Sequence, residues 1–144
     1  MSTAKVYRNA RIVLEDEIVA GSVSVLGDWI VAVDPGPSSA GEDFGGDYLI
    51  PGLVELHTDH LEGHFSPRPG VRWHPSAAVQ SHDAQIATSG ITTVFDCLRM
   101  GTDEGGGFAR GEMRMLADAM GAAQRDRRLR AEHFLHLRCE VSAP

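Results

Sequence analysis

The first third of the chain has the hydrophobic pattern of short β-strands. Residues 5–34 are rich in valine and isoleucine, in runs interrupted at Asn9, at Gly21 and at the pair Gly27-Asp28. The last interruption suits a two-residue hairpin turn, because glycine adopts positive φ without strain. We therefore predict antiparallel strands here, followed by a surface connection over residues 35–47 and a boundary near residue 48.

Beyond residue 48 the pattern changes to strands that alternate with helices. An apolar run begins at Leu49, and four further elements follow: a helix over 77–89 with its N-cap at Ser76 and its stop at Gly90, a strand over 91–98, an amphipathic helix over 111–128, and a strand over 133–141. Strands separated by helical crossovers form parallel sheets, which carry functional groups at the C-terminal ends of their strands. We predict such a sheet.

Composition excludes several classes of protein. The 144 residues are 42% apolar and 23% charged, as in a globular domain, and no run approaches the roughly 18 apolar residues of a membrane helix. Glu15, Asp16 and Glu17 interrupt the position where a signal peptide would be apolar, so we expect a cytoplasmic protein. The net charge of -7 argues against a nucleic-acid partner. The arginine cluster over 125–130 suits the C-terminal end of a helix.

The two cysteines, Cys97 and Cys139, are too few for a disulfide framework and form no CxxC pair. We expect both to be reduced, buried thiols.

The stretch LIPGLVELHTDHLEGH, residues 49–64, concentrates groups that bind metals. Side chains alternate along a strand, so His57 and Asp59 project to the same side at the end of a buried strand. An imidazole and a carboxylate in this arrangement suit a divalent cation, although a structural hydrogen-bonded pair remains the alternative. Pro51-Gly52 and the branched residues argue against a helix here, and Gly63 weakens a helix further. His60 and His64 are weaker candidates.

The third strand of this half offers one more carboxylate. Glu140 shares a face with Phe134, His136 and Arg138, and it lies at the C-terminal end. There it would reach the same centre as His57 and Asp59, whereas the alternative is a solvated strand end.

These stretches resemble the amidohydrolase superfamily, above all in "IPGLVELHTD" and "SGITTVFD". The segments HTDHLEGHFSPRPG and HLRCEV resemble the branch that hydrolyses a phosphorylated ribose in phosphonate catabolism by the carbon-phosphorus lyase pathway. The resemblance implies an α/β fold: residues 1–48 as a small β-sandwich segment, and residues 49–144 as the first three strands and two helices of a TIM-type (β/α) barrel. The chain would then be the first third of an enzyme, with open strand edges that make it poorly soluble alone.

The same resemblance implies one or two divalent metal ions, without distinguishing zinc, manganese and iron. His57 and Asp59 match the strand-1 ligand pair, and Glu140 matches the carboxylate that contacts or bridges the metals. Other members use a carboxylated lysine there, but the single lysine of this chain is Lys5. The general base would lie beyond Pro144.

The implied reaction is metal-dependent hydrolysis of a small phosphorylated ribose, a 5-triphosphate, to the 5-phosphate and diphosphate. The candidate substrate-binding residues are Arg68, Arg72, Arg99 and His60. Two alternatives remain: another amidohydrolase reaction, such as cyclic amide hydrolysis or deacetylation, and a truncated remnant without catalysis. We expect no membrane partner, and the sequence leaves open whether the complete enzyme is a homo-oligomer.

Overall fold

A computed structural model describes residues 3–100 and 110–139 of the chain. Its contacts divide the chain into two compact units between Pro51 and Gly52. The class is α/β, as predicted, because one unit is a sheet and the other combines a sheet with helices. In both described ranges, no helix is long and apolar enough to cross a membrane.

The first unit is a five-stranded sheet. Its strands are β1 (Lys5–Val13), β2 (Ile18–Leu26), β3 (Trp29–Pro35) and two very short ones, β4 (Glu42–Asp43) and β5 (Tyr48–Leu49). The order is β3-β2-β1-β4, and β5 also pairs with β1. The three long strands are antiparallel, as predicted, whereas β4 and β5 run parallel to β1. Ala10, Ile12 and Val23 form its buried core.

The turn between β2 and β3 is the predicted hairpin, with Gly27 at φ +62°. The other predicted interruptions were wrong. Asn9 lies inside β1 at φ +55°, where the pairing with β2 is bulged, and Gly21 lies inside β2. A Cβ at Gly21 would lie 2.1 Å from the carbonyl oxygen of Asp34, so close strand approach explains this glycine. The predicted surface connection over residues 35–47 is mostly exposed and irregular, but it also contains the short strand β4.

The second unit carries the parallel sheet. Its strands are β6 (Leu53–Thr58), β7 (Ile91–Met100) and β8 (Glu132–Cys139), in that order, and its helices are α1 (His60–Phe65), α2 (Pro75–Thr88) and α3 (Arg110–Arg125). Both strand pairs are parallel, as predicted. The short helix α1 corrects the prediction that residues 60–65 are not helical, because the Pro-Gly pair lies before β6 and does not affect the segment after it.

Helix α2 starts earlier than predicted. His74, not Ser76, is the N-cap: its Nδ1 accepts a hydrogen bond of 3.3 Å from the Ser76 amide, and Pro75 occupies the first helical position. The predicted stop is confirmed at Gly90, which has φ +78°. Helix α3 ends at Arg125, so the arginine cluster does follow a helix end.

The three helices pack on one face of the sheet. Leu98 of β7 contributes to a buried cluster with apolar residues of every helix: Leu61, Phe65, Ala78, Val79, Met113, Leu116, Met120 and Ala123. Alternation along β7 turns Phe95 and Cys97 to the opposite face, where the Phe95 ring stacks on Phe134 of β8 at 5.2 Å. The sheet therefore has a helix-covered face and a second face with different side chains.

Strand β6 is more exposed than predicted. Leu53 and Leu56 are 51% and 69% exposed. The reason is topological, since β6 lies at the edge of the three-stranded sheet and pairs with β7 alone among the described strands.

Strand β6 also begins under a steric constraint that can be tested. A Cβ at Gly52 would lie 2.7 Å from the Cβ of Thr92, a distance that no rotation of the threonine side chain relieves. We expect Gly52→Ala to lower the unfolding free energy by about 1–3 kcal/mol, as overpacking does. Urea unfolding followed by circular dichroism measures this.

Gly63→Ala is the matched control, because Gly63 lies in α1 with open space around its added Cβ. It should raise stability by roughly 0.5–1 kcal/mol through helix propensity. Equal effects of the two substitutions would show that the contact with Thr92 does not constrain the backbone.

Candidate metal centre

Three side chains from three neighbouring strands meet on the uncovered face of the parallel sheet. Cys97 of β7 and His136 of β8 are direct partners in the register of the two strands. The sulfur of Cys97 lies 3.0 Å from Nδ1 of His57 in β6, and the rings of His57 and His136 meet edge to face at 5.6 Å. One ligand atom from each of the three lies within 4.8 Å of the others. The strand register, rather than local sequence, creates this cluster.

Asp59 lies directly after β6 and completes the predicted pair. Its Oδ1 is 3.9 Å from Nε2 of His57, and its Oδ2 accepts a hydrogen bond of 3.2 Å from Arg138 of β8. Both side chains of the pair are about half exposed. When the His57 ring carries its proton on Nδ1, it donates to Cys97 and leaves Nε2 free toward Asp59. The two residues therefore fit a divalent cation, whose bonds to such ligands are about 2.0–2.2 Å long.

The environment of Cys97 is that of an unreactive thiol. It is fully buried and unpaired by any disulfide, which confirms the expectation of a reduced, buried cysteine. Burial raises the pKa of this thiol, and the negative charge of Asp59 raises it further. A nucleophilic cysteine needs a lowered pKa and access to solvent, so Cys97 does not suit that role.

The other predicted site residues that the structure describes do not belong to this cluster. His60 is the exposed first residue of α1, and it lines an open cavity of about 340 Å³ together with His57 and Asp59. His64 lies one helical turn further on, with Nε2 2.8 Å from Oε1 of Gln85. The predicted ligand Glu140 lies outside the described residues, as does the side chain of Cys139.

The three arginines predicted to bind substrate do not form one cluster among the described side chains. Arg68 is exposed in the loop after α1. Arg72 donates to Glu112 of α3 at 2.7 Å and to Ser66 at 2.6 Å, so its guanidinium holds the loop to the helix. The side chain of Arg99 is outside the part of the chain that is described. Their roles in substrate binding stay predictions.

Sequence reasoning missed three members of the centre: Cys97, His136 and Arg138. His136 and Arg138 were on the face assigned to Glu140, and that alternation was the available signal. Cys97 gave no signal of its own, because its role depends on the register of β7 against both neighbours.

A second group of ionisable residues lies on the opposite, helix-covered side and is fully buried. Asp96 of β7 joins two histidines, with Oδ1 2.5 Å from Nε2 of His82 and Oδ2 2.7 Å from Nδ1 of His133. Asp83 of α2 accepts hydrogen bonds from the amides of Arg130 and Ala131 at 2.8 and 3.0 Å. This network ties α2 to β7 and to the start of β8.

Hydrogen bonding outweighs burial in this network. Burial raises the pKa of Asp96, but hydrogen bonds from His133 and His82 bring it below its usual range. The pKa of Asp83 is lowered for the same reason, against burial, by the two amides, His133 and Arg130. Burial lowers the pKa of His133, but its two aspartate partners raise it above the usual value.

Comparison with known proteins agrees with the sequence pattern. The chain is 42% identical over 138 residues to alpha-D-ribose 1-methylphosphonate 5-triphosphate diphosphatase of Escherichia coli (strain K12). The predicted resemblance is confirmed. The aligned part is 94% of this chain but 36% of the diphosphatase, so the chain spans about a third of that relative's length. No protein-family model matches the chain.

A solved structure shows the same fold. The chain superimposes with a TM-score of 0.53 on N-acetyl-D-glucosamine-6-phosphate deacetylase of Mycobacterium smegmatis, a D267A mutant solved in complex with N-acetyl-D-glucosamine-6-phosphate. The match covers 94% of this chain and 32% of the deacetylase at 20% identity. The chain therefore spans about a third of the length of both proteins, and its similarity to the deacetylase is one of fold.

The buried network predicts how stability depends on pH. The raised pKa of His133 favours the folded state below about 6.5, and this contribution is lost as the pH rises through its folded-state pKa. The lowered pKa values of Asp83 and Asp96 contribute above 3.8 and are lost as the pH falls through their folded-state values. We expect the unfolding free energy, measured with urea from pH 3 to 9, to be greatest between about pH 4 and 6.5.

His133→Gln should lower stability and remove the decline above pH 6.5. His136→Gln is the matched control, since His136 is an exposed histidine of the same strand and should leave the profile unchanged. A His133→Gln profile that still declines like the parent's would assign the titration to another group.

Proposed function

We propose that the chain is the metal-binding N-terminal part of a hydrolase that converts alpha-D-ribose 1-methylphosphonate 5-triphosphate into the 5-phosphate and diphosphate. The 42% identity to the E. coli diphosphatase over nearly the whole chain carries the proposal. The convergence of an imidazole and a carboxylate at the end of β6 supports it, since such a reaction needs a cation beside the phosphates.

In this proposal His57 of β6 and Asp59, directly after β6, hold the metal, and Glu140, the next residue in the sequence after β8, adds a carboxylate. A bound divalent metal supplies an activated water near neutral pH and neutralises charge on the phosphates. Cys97 orients the His57 ring through Nδ1, which keeps Nε2 toward Asp59. Arg138 fixes the Asp59 carboxylate by a hydrogen bond from the other outer strand. The side chains that surround the pair thus position both ligands.

The substrate would approach from the open side of the pair. His60 lines the cavity beside His57 and Asp59, where it can donate a hydrogen bond to a phosphate oxygen. Arg68 and Arg99 would provide further positive charge for a triphosphate. Arg72 would have to share its guanidinium with Glu112 and Ser66, so we assign it the weakest role of the three arginines.

We also propose that β6, β7 and β8 are the first three strands of a TIM-type barrel, with the cluster on its inner face. Parallel pairing, helices on one face and ligands at the C-terminal strand ends support this architecture. Leu56 and Leu137, on the two outer strands, are 69% and 65% exposed, which suits edges that further strands would cover.

A deacetylase reaction is a weaker candidate. The structural similarity to the deacetylase rests on 20% identity, which supports a common fold and not a common substrate. The higher identity favours the diphosphatase reaction.

A chimera tests the proposal, with residues 1–144 in place of the aligned part of the E. coli diphosphatase. We expect it to release diphosphate from the ribose triphosphate when divalent metal is supplied. His57→Gln and Asp59→Asn should each reduce that rate by more than about 100-fold, because loss of residues that merely position a metal ligand already reduces activity about 10–100-fold.

Asp118→Asn is the matched control, since Asp118 is an exposed carboxylate of α3 paired with Arg114. It should leave diphosphate release and metal content unchanged, with folding compared by circular dichroism. Full metal content and normal turnover in the Asp59→Asn chimera would contradict the proposed ligand pair.

The 144-residue chain alone should release no diphosphate above a metal-only blank. For the proposed catalytic metal it supplies two described ligands, His57 and Asp59, whereas hydrolytic metal sites generally have three protein ligands and a base. Metal-dependent turnover by the isolated chain would show that the remaining two thirds of the relative's length are not needed for catalysis.

A further inference from the structure

We propose that Cys97, His57 and His136 form a second metal position in this chain, a site with one sulfur and two nitrogen ligands that selects zinc-type ions. The three side chains come from β7, β6 and β8, and their ligand atoms lie within 4.8 Å of one another. This proposal rests on their geometry and not on the proposed hydrolase activity.

The distances suit a tetrahedral ion after small movements. Bonds of about 2.3 Å to sulfur and 2.0–2.1 Å to imidazole nitrogen place ligand atoms roughly 3.3–3.6 Å apart. The present separation of 3.0 Å between Sγ of Cys97 and Nδ1 of His57 therefore has to open slightly. His57 and His136 are exposed, so their rings have room to turn, whereas Cys97 is buried and fixed by the central strand.

Three ligands leave a fourth tetrahedral position for water. Zinc sites with three protein ligands and one open position are a recurrent arrangement.

The chemistry of the ligands separates this position from the His57–Asp59 pair. A thiolate is a soft ligand that favours zinc-type ions, whereas the carboxylate of Asp59 suits harder ions such as manganese and magnesium. His57 would use Nδ1 in the sulfur-containing site and Nε2 beside Asp59. A neutral imidazole has one lone pair for a metal, so His57 can bind an ion at only one of the two positions at a time.

Binding at the sulfur site exchanges a proton for the metal. The S–H bond of Cys97 breaks, the sulfur forms a bond to the cation, and the proton passes to solvent through the exposed His57 or His136. Binding should therefore strengthen with rising pH.

The buried group of His82, Asp96 and His133 does not offer a comparable site. Its carboxylate lies 2.5 and 2.7 Å from the two imidazole nitrogens, which is hydrogen-bonding distance and shorter than the separation of two ligands on one ion. These atoms already satisfy one another.

Cobalt titration of the metal-free, reduced 144-residue chain tests the proposal. We expect sulfur-to-cobalt charge-transfer absorption in the near ultraviolet that saturates at one equivalent, disappears when zinc is added, and persists in excess manganese. Cys97→Ser should abolish this absorption. His136→Gln should weaken cobalt binding by more than about tenfold, since even residues behind a metal ligand contribute that much.

Cys139→Ser is the matched cysteine control and should keep the absorption, as should Asp59→Asn, which removes the other proposed metal position. Circular dichroism of each metal-free variant checks the fold; if Cys97→Ser does not fold, His136→Gln at an exposed position decides. Absence of the absorption in the parent chain, its loss in Cys139→Ser, or unchanged cobalt affinity in His136→Gln would overturn the proposal. Failure of the chimera to hydrolyse substrate would leave these spectra unaffected, so the two proposals fail separately.

Discussion

The in-register parallel pairing of β7 with β8 is the constraint on which the rest of the second unit depends. It places Asp96 beside Leu135 and Cys97 beside His136 in the ladder, so alternate residues of the two strands are sorted onto opposite faces. A slip of one residue would turn His133 away from Asp96 and turn His136 into the helix-covered core. The burial of His133 therefore fixes the position of His136 on the other face.

The two groups of histidines illustrate opposite uses of the same residue type. On the helix-covered face, His82 and His133 each contact a buried carboxylate, and desolvation makes these hydrogen bonds essential, since an unpaired buried charge is strongly destabilising. On the other face, His57 and His136 are exposed and contact a thiol and a ring edge. The first group specifies the fold, and the second remains available for an ion.

The order of strands and helices could be predicted because each element has its own periodicity of apolar residues. The His57–Asp59 pair could be predicted for a similar reason, since residues two positions apart in a strand point to the same face. Sequence reasoning failed where the role of a residue depends on a contact with a residue that is distant in the sequence. Gly21 was taken as an interruption but accommodates the backbone of Asp34. The N-cap was a local error, because His74, two residues before Ser76, fills that position.

The sequence by itself determined the α/β class, the parallel arrangement of the second half, the resemblance to a metal-dependent hydrolase and one pair of ligand candidates. Only the tertiary structure decided that Cys97, His136 and Arg138 surround that pair, and that Asp83, Asp96, His82 and His133 form one buried network. The physical reason is that periodicity and turn chemistry act over a few residues, whereas strand register is set by packing across sequence separations of 37 to 79 residues. A residue's chemistry can be read from its letter, but its partners depend on that register.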